Sequence, residues 1–536
     1  MAAEIPVKND WTIMFYFATD NELSLLNISQ IKSVKDAGYQ KSTELLLFFD
    51  SSEKGVPTRL FNVNKARKGN PPTTSIGDGK DPFIRSFLQD EVLPKDMHPS
   101  VGPATAALVQ KLKVPDSMTA GESLANFLGF CRENNPARHY ILFLVGHGMI
   151  VANDTFLPDA NPQSAIGLVE LGQILNDFKS KLDRGDEFEL IGFHSCSMSA
   201  LEVACELKDT AKYMIASEGM SYVGTFPYRQ LMKKIFNVTE KGLTQASVQE
   251  LTQRIYELSL HNAPDFAFSG YSHDLTLCSL ASDKINQLLD PLRRLVDNLK
   301  GSLDNRRGRE LILLAHLRSQ SFWGEAYTDI FDFCRCLVEH CDPSDPFQAS
   351  LARDCEAVQQ AFEPKGFDGL VVLSDNFGWQ YQFCRGLSIY FPWSPPLGDV
   401  NNDPLKHYAS YAFHRDMGEG HSWLEFLEAY WEATMRPVDD RNSTELFDQI
   451  LNTSPQSTIF ESFADRGTGG SFFDIRRVLA GALNKPTGVS GLDCGCNSIK
   501  NFHTVVKLDR RIRQPSTSPT VAKAFDYRDD RPDEDR

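Results

Sequence analysis

The chain has 536 residues, 41% of them apolar and 24% charged, which is the make-up of a globular protein too long for one ordinary core. Its net charge of -16, from 71 acidic against 55 basic residues, argues against a nucleic-acid partner, because phosphate binding needs clustered Lys and Arg. No apolar run reaches the length of a membrane span, the start "MAAEIPVKND" lacks a secretory pattern, and 11 scattered cysteines do not form a disulfide framework. A cytoplasmic protein with reduced thiols is therefore expected, with no membrane or nucleic-acid partner.

In chain order, "WTIMFYFATD" (11–20) reads as a buried strand, followed by a helical pattern in "NELSLLNISQIKSVKDAG". "STELLLFFDSS" (42–52) is a second strand, and "NKARKGNPPTTSIGDGKDP" reads as a surface loop. "GESLANFLGFCREN" has helical spacing and leads into the strand "YILFLV", which stops at Gly146, His147 and Gly148. "LVELGQILNDFKSKL" is helical again and leads into "FELIGFHSCSM", where a strand stops at Cys196, 49 residues after His147. "SALEVACELKD" reads as a helix and "YMIASEG" as another strand. Beyond 280 the pattern is mainly helical, with strand-like stretches at "FDGLVVLSD" and "CRGLSIYFPWSP" and a helix at "SWLEFLEAYWEATM".

Strands alternating with helices predict an α/β fold, a doubly wound and mostly parallel sheet flanked by helices. Three regions are expected: a catalytic α/β domain over 1–280, a helical and mixed part over 281–436, and an extra segment over 437–536. The polar, acidic end of that segment cannot bury enough apolar surface to order itself.

Two clusters of soft ligands invite a metal test. They are Cys334, Cys336, His340 and Cys341, and then Cys494, Cys496 and His503. Neither has the paired spacing of a zinc site, so no metal and no cofactor is expected.

Ligands of parallel sheets bind beyond the carboxyl ends of the strands. His147 and Cys196 both stand just past such ends, and neighbouring strands would bring them together at one rim of the sheet. An imidazole beside a thiol can take its proton and return it to a leaving amine. Backbone N–H groups of Gly148 and Cys196 are candidates for receiving the negative carbonyl oxygen, and glycine at 148 admits close approach. The order His then Cys, about fifty residues apart, is the caspase-like arrangement.

These blocks together resemble the clostripain family of cysteine peptidases, relatives of caspases, gingipains and legumains. The resemblance runs over roughly residues 11–431, through "WTIMFYFATDNELS", "LVGHG", "SCSMSALEVACELKDTAKYMIASEG", "DFCRCL" and "GLSIYFPW" with "WLEFLEAYW". It implies a caspase-like fold, His147 as general acid and base, Cys196 as nucleophile through a thioester, and no cofactor. Protein substrates cut at exposed loops are implied, with an activating protease or regulator as a further partner. Some relatives respond to calcium, and no clear loop for it stands in this chain.

Two positions depart from the family pattern. Where the family has an aspartate two residues before the nucleophile to meet Arg or Lys, this chain has His194. His194 should still line the substrate pocket, and Glu218 is the candidate countercharge that would preserve cleavage after basic residues. Relatives also cut themselves between the catalytic His and Cys, yet no Lys or Arg lies between His147 and Lys179. Basic alternatives stand at Lys65, Arg67 and Lys68, at Arg184, and at Arg510, Arg511 and Arg513. Two other functions share these residues: a degenerate peptidase fold serving as a binding scaffold, and an amide hydrolase for small molecules.

Overall fold

The computed structural model describes residues 8–21, 23–35, 43–51, 59–62, 118–149, 151, 154–160, 162–239, 245–261, 272–322, 326–363, 365–396 and 403–435. The candidate metal cluster at Cys494, the basic sites near Lys65 and Arg510 and the acidic end lie outside these residues.

The main sheet is built from β1 (Asn9–Thr19), β2 (Thr43–Ser51), β3 (Arg59–Asn62), β4 (Ala137–Val145), β7 (Glu187–His194), β8 (Tyr213–Ala216), β9 (His273–Ser279) and β12 (Val371–Phe377). Their order is β12-β9-β8-β7-β4-β1-β2-β3. The inner pairs β2–β1, β1–β4, β4–β7 and β7–β8 are parallel, and the outer pairs β8–β9, β9–β12 and β2–β3 are antiparallel. The expected doubly wound, mostly parallel sheet is thus present, with antiparallel strands closing both edges. A hairpin of β5 (Phe156–Ala160) and β6 (Gln163–Ile166) follows β4. A small sheet joins β10 (Ser321–Phe322), β11 (Tyr327–Asp329) and β13 (Ser388–Tyr390).

The inner strands are apolar at nearly every position because both faces are covered. Along β1, Met14, Tyr16 and Ala18 enter one core while Ile13, Phe15 and Phe17 enter the other. Met14, Ile13, Phe15 and Phe17 each stabilise the fold by about 1.5–3 kcal/mol when fully buried.

The second core lies under α1 (Ser24–Lys35), α5 (Tyr228–Thr239) and α6 (Gln245–His261). The first lies under α2 (Ala120–Asn134), α3 (Leu168–Ser180), α4 (Leu201–Glu206) and α7 (Ser282–Ser302), and it runs on into the later helices. Among the latter are α8 (Arg306–Arg318), α9 (Ile330–His340), α10 (Pro346–Gln360) and α11 (Trp423–Met435). Helix α2, the approach to β4, opens with a reciprocal cap: Thr119 Oγ1 accepts from Glu122 N–H, and Glu122 accepts from Thr119 N–H.

Residues 371–377 complete the main sheet beside β9, and the helices beyond 280 share one continuous core with α2 and α3. Among the described residues, no helix is long and apolar enough to cross a membrane.

Candidate active site

Strands β4 and β7 are neighbours and end level with one another, Val145 facing His194. Beyond both ends the Gly146 N–H still donates to the His194 carbonyl at 3.3 Å. Continued by two residues, that register would set His147 beside Cys196. Gly148 supplies the direct measure of contact. A Cβ built on it would lie 1.8 Å from the Cys196 carbonyl oxygen and 2.6 Å from its nitrogen. Only glycine permits that approach, so the His147 and Cys196 turns are pressed together backbone to backbone.

The sharp turn after β7 places Ser197 at φ +55°, a conformation rare for a residue with a side chain. It turns the Ser197 N–H to the Gly219 carbonyl (2.9 Å) and the Ser199 N–H to the Ser217 carbonyl (2.9 Å). The segment after β8 is thereby drawn over Cys196. There the Ser221 N–H lies 3.3 Å from the Cys196 sulfur, and the Ser221 carbonyl lies 3.6 Å from it. Cys196 and His147 are each only 1% exposed.

The His147 turn is held from the far end of the chain. The Tyr327 hydroxyl accepts from the Val151 N–H at 2.9 Å and donates to the Met149 carbonyl at 3.3 Å. The Tyr411 hydroxyl donates to the Val151 carbonyl at 2.6 Å. Residues 386–390 strap onto the chain after Cys196 through Ser388 N–H to the Ser199 carbonyl and Ser199 Oγ to the Gly386 carbonyl. Glu202 completes the strap by accepting from the Tyr390 N–H and the Tyr408 hydroxyl.

His194 is close to Cys196, as its spacing predicts, but it is not an open pocket wall. It is buried, with Nδ1 2.7 Å from the Tyr228 hydroxyl and Nε2 2.8 Å from the Tyr222 carbonyl. A carbonyl only accepts, so Nε2 carries the proton and Nδ1 accepts from Tyr228. Phe226 and Tyr228 pack against the ring, and burial lowers its pKa to about 4. His194 therefore ties the 222–228 loop to β7 as a neutral ring.

Glu218 is likewise turned inward. Its carboxyl accepts from the Gly386 N–H at 2.8 Å and sits with Asp274 and Asp329 in a fully buried group. Burial pushes all three carboxyls above the usual range. The Glu218 carboxyl, expected as a countercharge for Arg or Lys, faces the 385–386 turn in this fold.

Asp274 was not singled out by sequence reasoning, nor were Ser221, Tyr228 and Tyr327. The signal for Asp274 was the alternating run "HDLTLCS", a strand that pairs beside β8. Among the described residues, Glu218, Asp274 and Cys384 form the one group of three side chains with metal-ligand chemistry in close range. Both Asp274 oxygens there accept backbone N–H groups. On α9, Cys334 and Cys336 are core residues, and the His340 ring is bonded to the Cys336 carbonyl and Arg318. Arg184 is exposed in the turn between α3 and β7.

A model described as the clostripain family matches residues 102–431. No curated protein matches the chain. Among solved structures, the chain is similar to an inactive zymogen C11 protease from Parabacteroides distasonis, at 17% identity, covering 77% of this chain and 99% of that one with a TM-score of 0.46. It is also similar to a secreted C11 cysteine protease from Bacteroides thetaiotaomicron in complex with an irreversible peptide inhibitor. There the identity is 14%, the coverage 79% of this chain and 99% of the other, and the TM-score 0.46.

Proposed function

The chain belongs to the clostripain family of cysteine peptidases, and we propose that it is an endopeptidase whose nucleophile is Cys196 and whose general acid and base is His147. The observation that carries this reading is the backbone contact of Gly148 with Cys196, which joins the two turns at one rim of the sheet. His147 takes the thiol proton, and the sulfur attacks the substrate carbonyl. The carbonyl oxygen becomes negative and is received by the Gly148 and Cys196 N–H groups. Collapse expels the amine, protonated by His147, and leaves a thioester. Water, deprotonated by His147, then releases the acid and restores the thiol.

The residue before the scissile bond is uncharged in this proposal. The support is that His194 is held neutral and Glu218 is engaged with the Gly386 N–H, so neither offers a countercharge. A desolvated Arg or Lys without a partner would cost several kcal/mol. The substrates are proteins cut at exposed loops. Because both reacting side chains are only 1% exposed, a substrate reaches them after the covering chain shifts, the step an activating protease or regulator would supply.

Digestion of a peptide library, with cleavage sites read by mass spectrometry, tests activity and specificity together. Cleavage after uncharged residues that vanishes in Cys196→Ala is the expected result. Cleavage mainly after Arg or Lys would overturn the specificity. An inert wild type, before and after limited proteolysis, would leave a binding scaffold on a peptidase fold.

A further inference from the structure

The segment that touches the Cys196 sulfur is gripped from behind by one side chain. Asp274 stands on β9, two residues before Thr276, the partner of Ala216 at the end of β8. It is 1% exposed and spends every acceptor it has on the turn that follows β8. Its carbonyl accepts from Ser217 Oγ at 2.9 Å, its Oδ2 from the Glu218 N–H at 2.6 Å, and its Oδ1 from the Gly219 N–H at 3.0 Å. Three consecutive residues are thus fixed by one aspartate.

What those residues do next reaches the nucleophile. The Ser217 and Gly219 carbonyls take the Ser199 and Ser197 N–H groups, which sets the turn just after Cys196. Two residues past Gly219, the Ser221 N–H points at the sulfur. The same stretch is backed by Tyr381, whose hydroxyl accepts from the Met220 N–H at 3.3 Å. A Cβ on Gly219 would fall 2.5 Å from the Tyr381 ring, so the turn lies flat against it.

We infer that Asp274 is a positioning residue for the Cys196 thiolate: it fixes the 217–221 turn so that the Ser221 N–H donates to the sulfur. A donor aimed at an ionised sulfur favours the thiolate and so lowers its pKa. The inference rests on the endopeptidase reading for its meaning in catalysis, though the geometry from Asp274 to the sulfur stands apart from any substrate. Asp274 touches no reacting atom. The ionisable groups that face it are Glu218, Cys384, Tyr381 and Tyr256.

The test is the rate of iodoacetamide alkylation of Cys196 against pH, followed by mass spectrometry of the Cys196 peptide in the full-length chain. The midpoint of the profile, not its plateau, is the readout, because loosening the turn also changes access. A hydrogen bond to a charged group corresponds to a midpoint shift of about one unit. Asp274→Asn should raise the midpoint by about that much and lower kcat at least tenfold with KM little changed. Tyr381→Phe, which deletes one hydroxyl at the same turn, should shift it in the same direction by less. Asp329→Asn removes a carboxyl of the same buried group without loosening the 217–221 backbone, and should leave the midpoint in place.

An unshifted midpoint in folded Asp274→Asn overturns the inference. If that variant does not fold, an unshifted midpoint in Tyr381→Phe does so, and so does an equal shift in Asp329→Asn. A wild type that cleaves no peptide, yet shows the Asp274-dependent midpoint, would sink the endopeptidase reading and leave the positioning intact.

Discussion

Gly148→Ala is the smallest change that tests whether the two turns form one site. The added Cβ would meet the Cys196 carbonyl oxygen at 1.8 Å, its carbonyl carbon at 2.5 Å and its nitrogen at 2.6 Å. Carbon atoms of this kind keep at least 3.0 Å from such neighbours, so the turns must part by about 1.2 Å. All three obstructing atoms are backbone and cannot swing aside. Overpacking of this kind costs about 1–3 kcal/mol of stability. A displacement of about 1 Å at the reacting atoms costs about 10²-fold in rate. The variant should therefore fold with a melting temperature a few degrees lower and lose about a hundredfold in kcat/KM on the best library peptide. Near-ultraviolet circular dichroism reports the fold, and initial rates report the activity. Gly129→Ala is the control, since nothing lies within 4 Å of its Cβ and alanine is favoured in a helix by about 1 kcal/mol. Wild-type kcat/KM in Gly148→Ala would refute the placement of the active site at this contact.

Four further variants bear on the same geometry. Cys196→Ala should abolish cleavage with the fold retained, and His147→Ala should cost at least about 10²–10⁴-fold, both read as kcat on a fluorogenic peptide. Tyr327→Phe strands the buried Val151 N–H and Met149 carbonyl; a loss of about 1–3 kcal/mol in urea unfolding, with reduced kcat, is expected, and unchanged kcat would dissociate this hydroxyl from the His147 turn. His194 is held neutral in the fold with a pKa of about 4, below the 6.5 of the unfolded chain. Its contribution is therefore present above pH 6.5 and lost as pH falls through about 4, on the order of 3 kcal/mol in all. The destabilisation caused by His194→Gln should shrink over that window, and a constant difference between variant and wild type from pH 7 to 4.5 would contradict a neutral, buried ring. Comparison with wild type is essential. His273 has the same sign, while the buried carboxyls run oppositely, their stabilisation fading as pH rises above the ordinary carboxylate range.

Much of the framework was legible in the chain because local patterns carried it. The runs ending at His147 and Cys196 are apolar at successive positions, as strands covered on both faces must be, and the intervening helix of 168–180 forces a parallel crossover. Two strands ending level can hardly avoid bringing their last residues together. The strand at 273–279 and the hairpin at 156–166 escaped notice, since short, partly polar runs carry little periodic signal.

What the sequence determined by itself was thus the sheet, its polarity, and the level ending of the strands before His147 and Cys196, all of which follow from repeating local pattern. Only the tertiary structure decided which way His194 and Glu218 face. Their fate depends on Tyr222, Tyr228, Asp329 and Gly386, partners from 28 to 168 residues away, and no local period encodes a hydrogen bond closed across such a distance. Burial then completed what topology began: with little water to solvate a charge, the imidazole pKa falls to about 4 and the Glu218 carboxyl pKa is pushed up, while hydrogen bonds tie both side chains to distant loops.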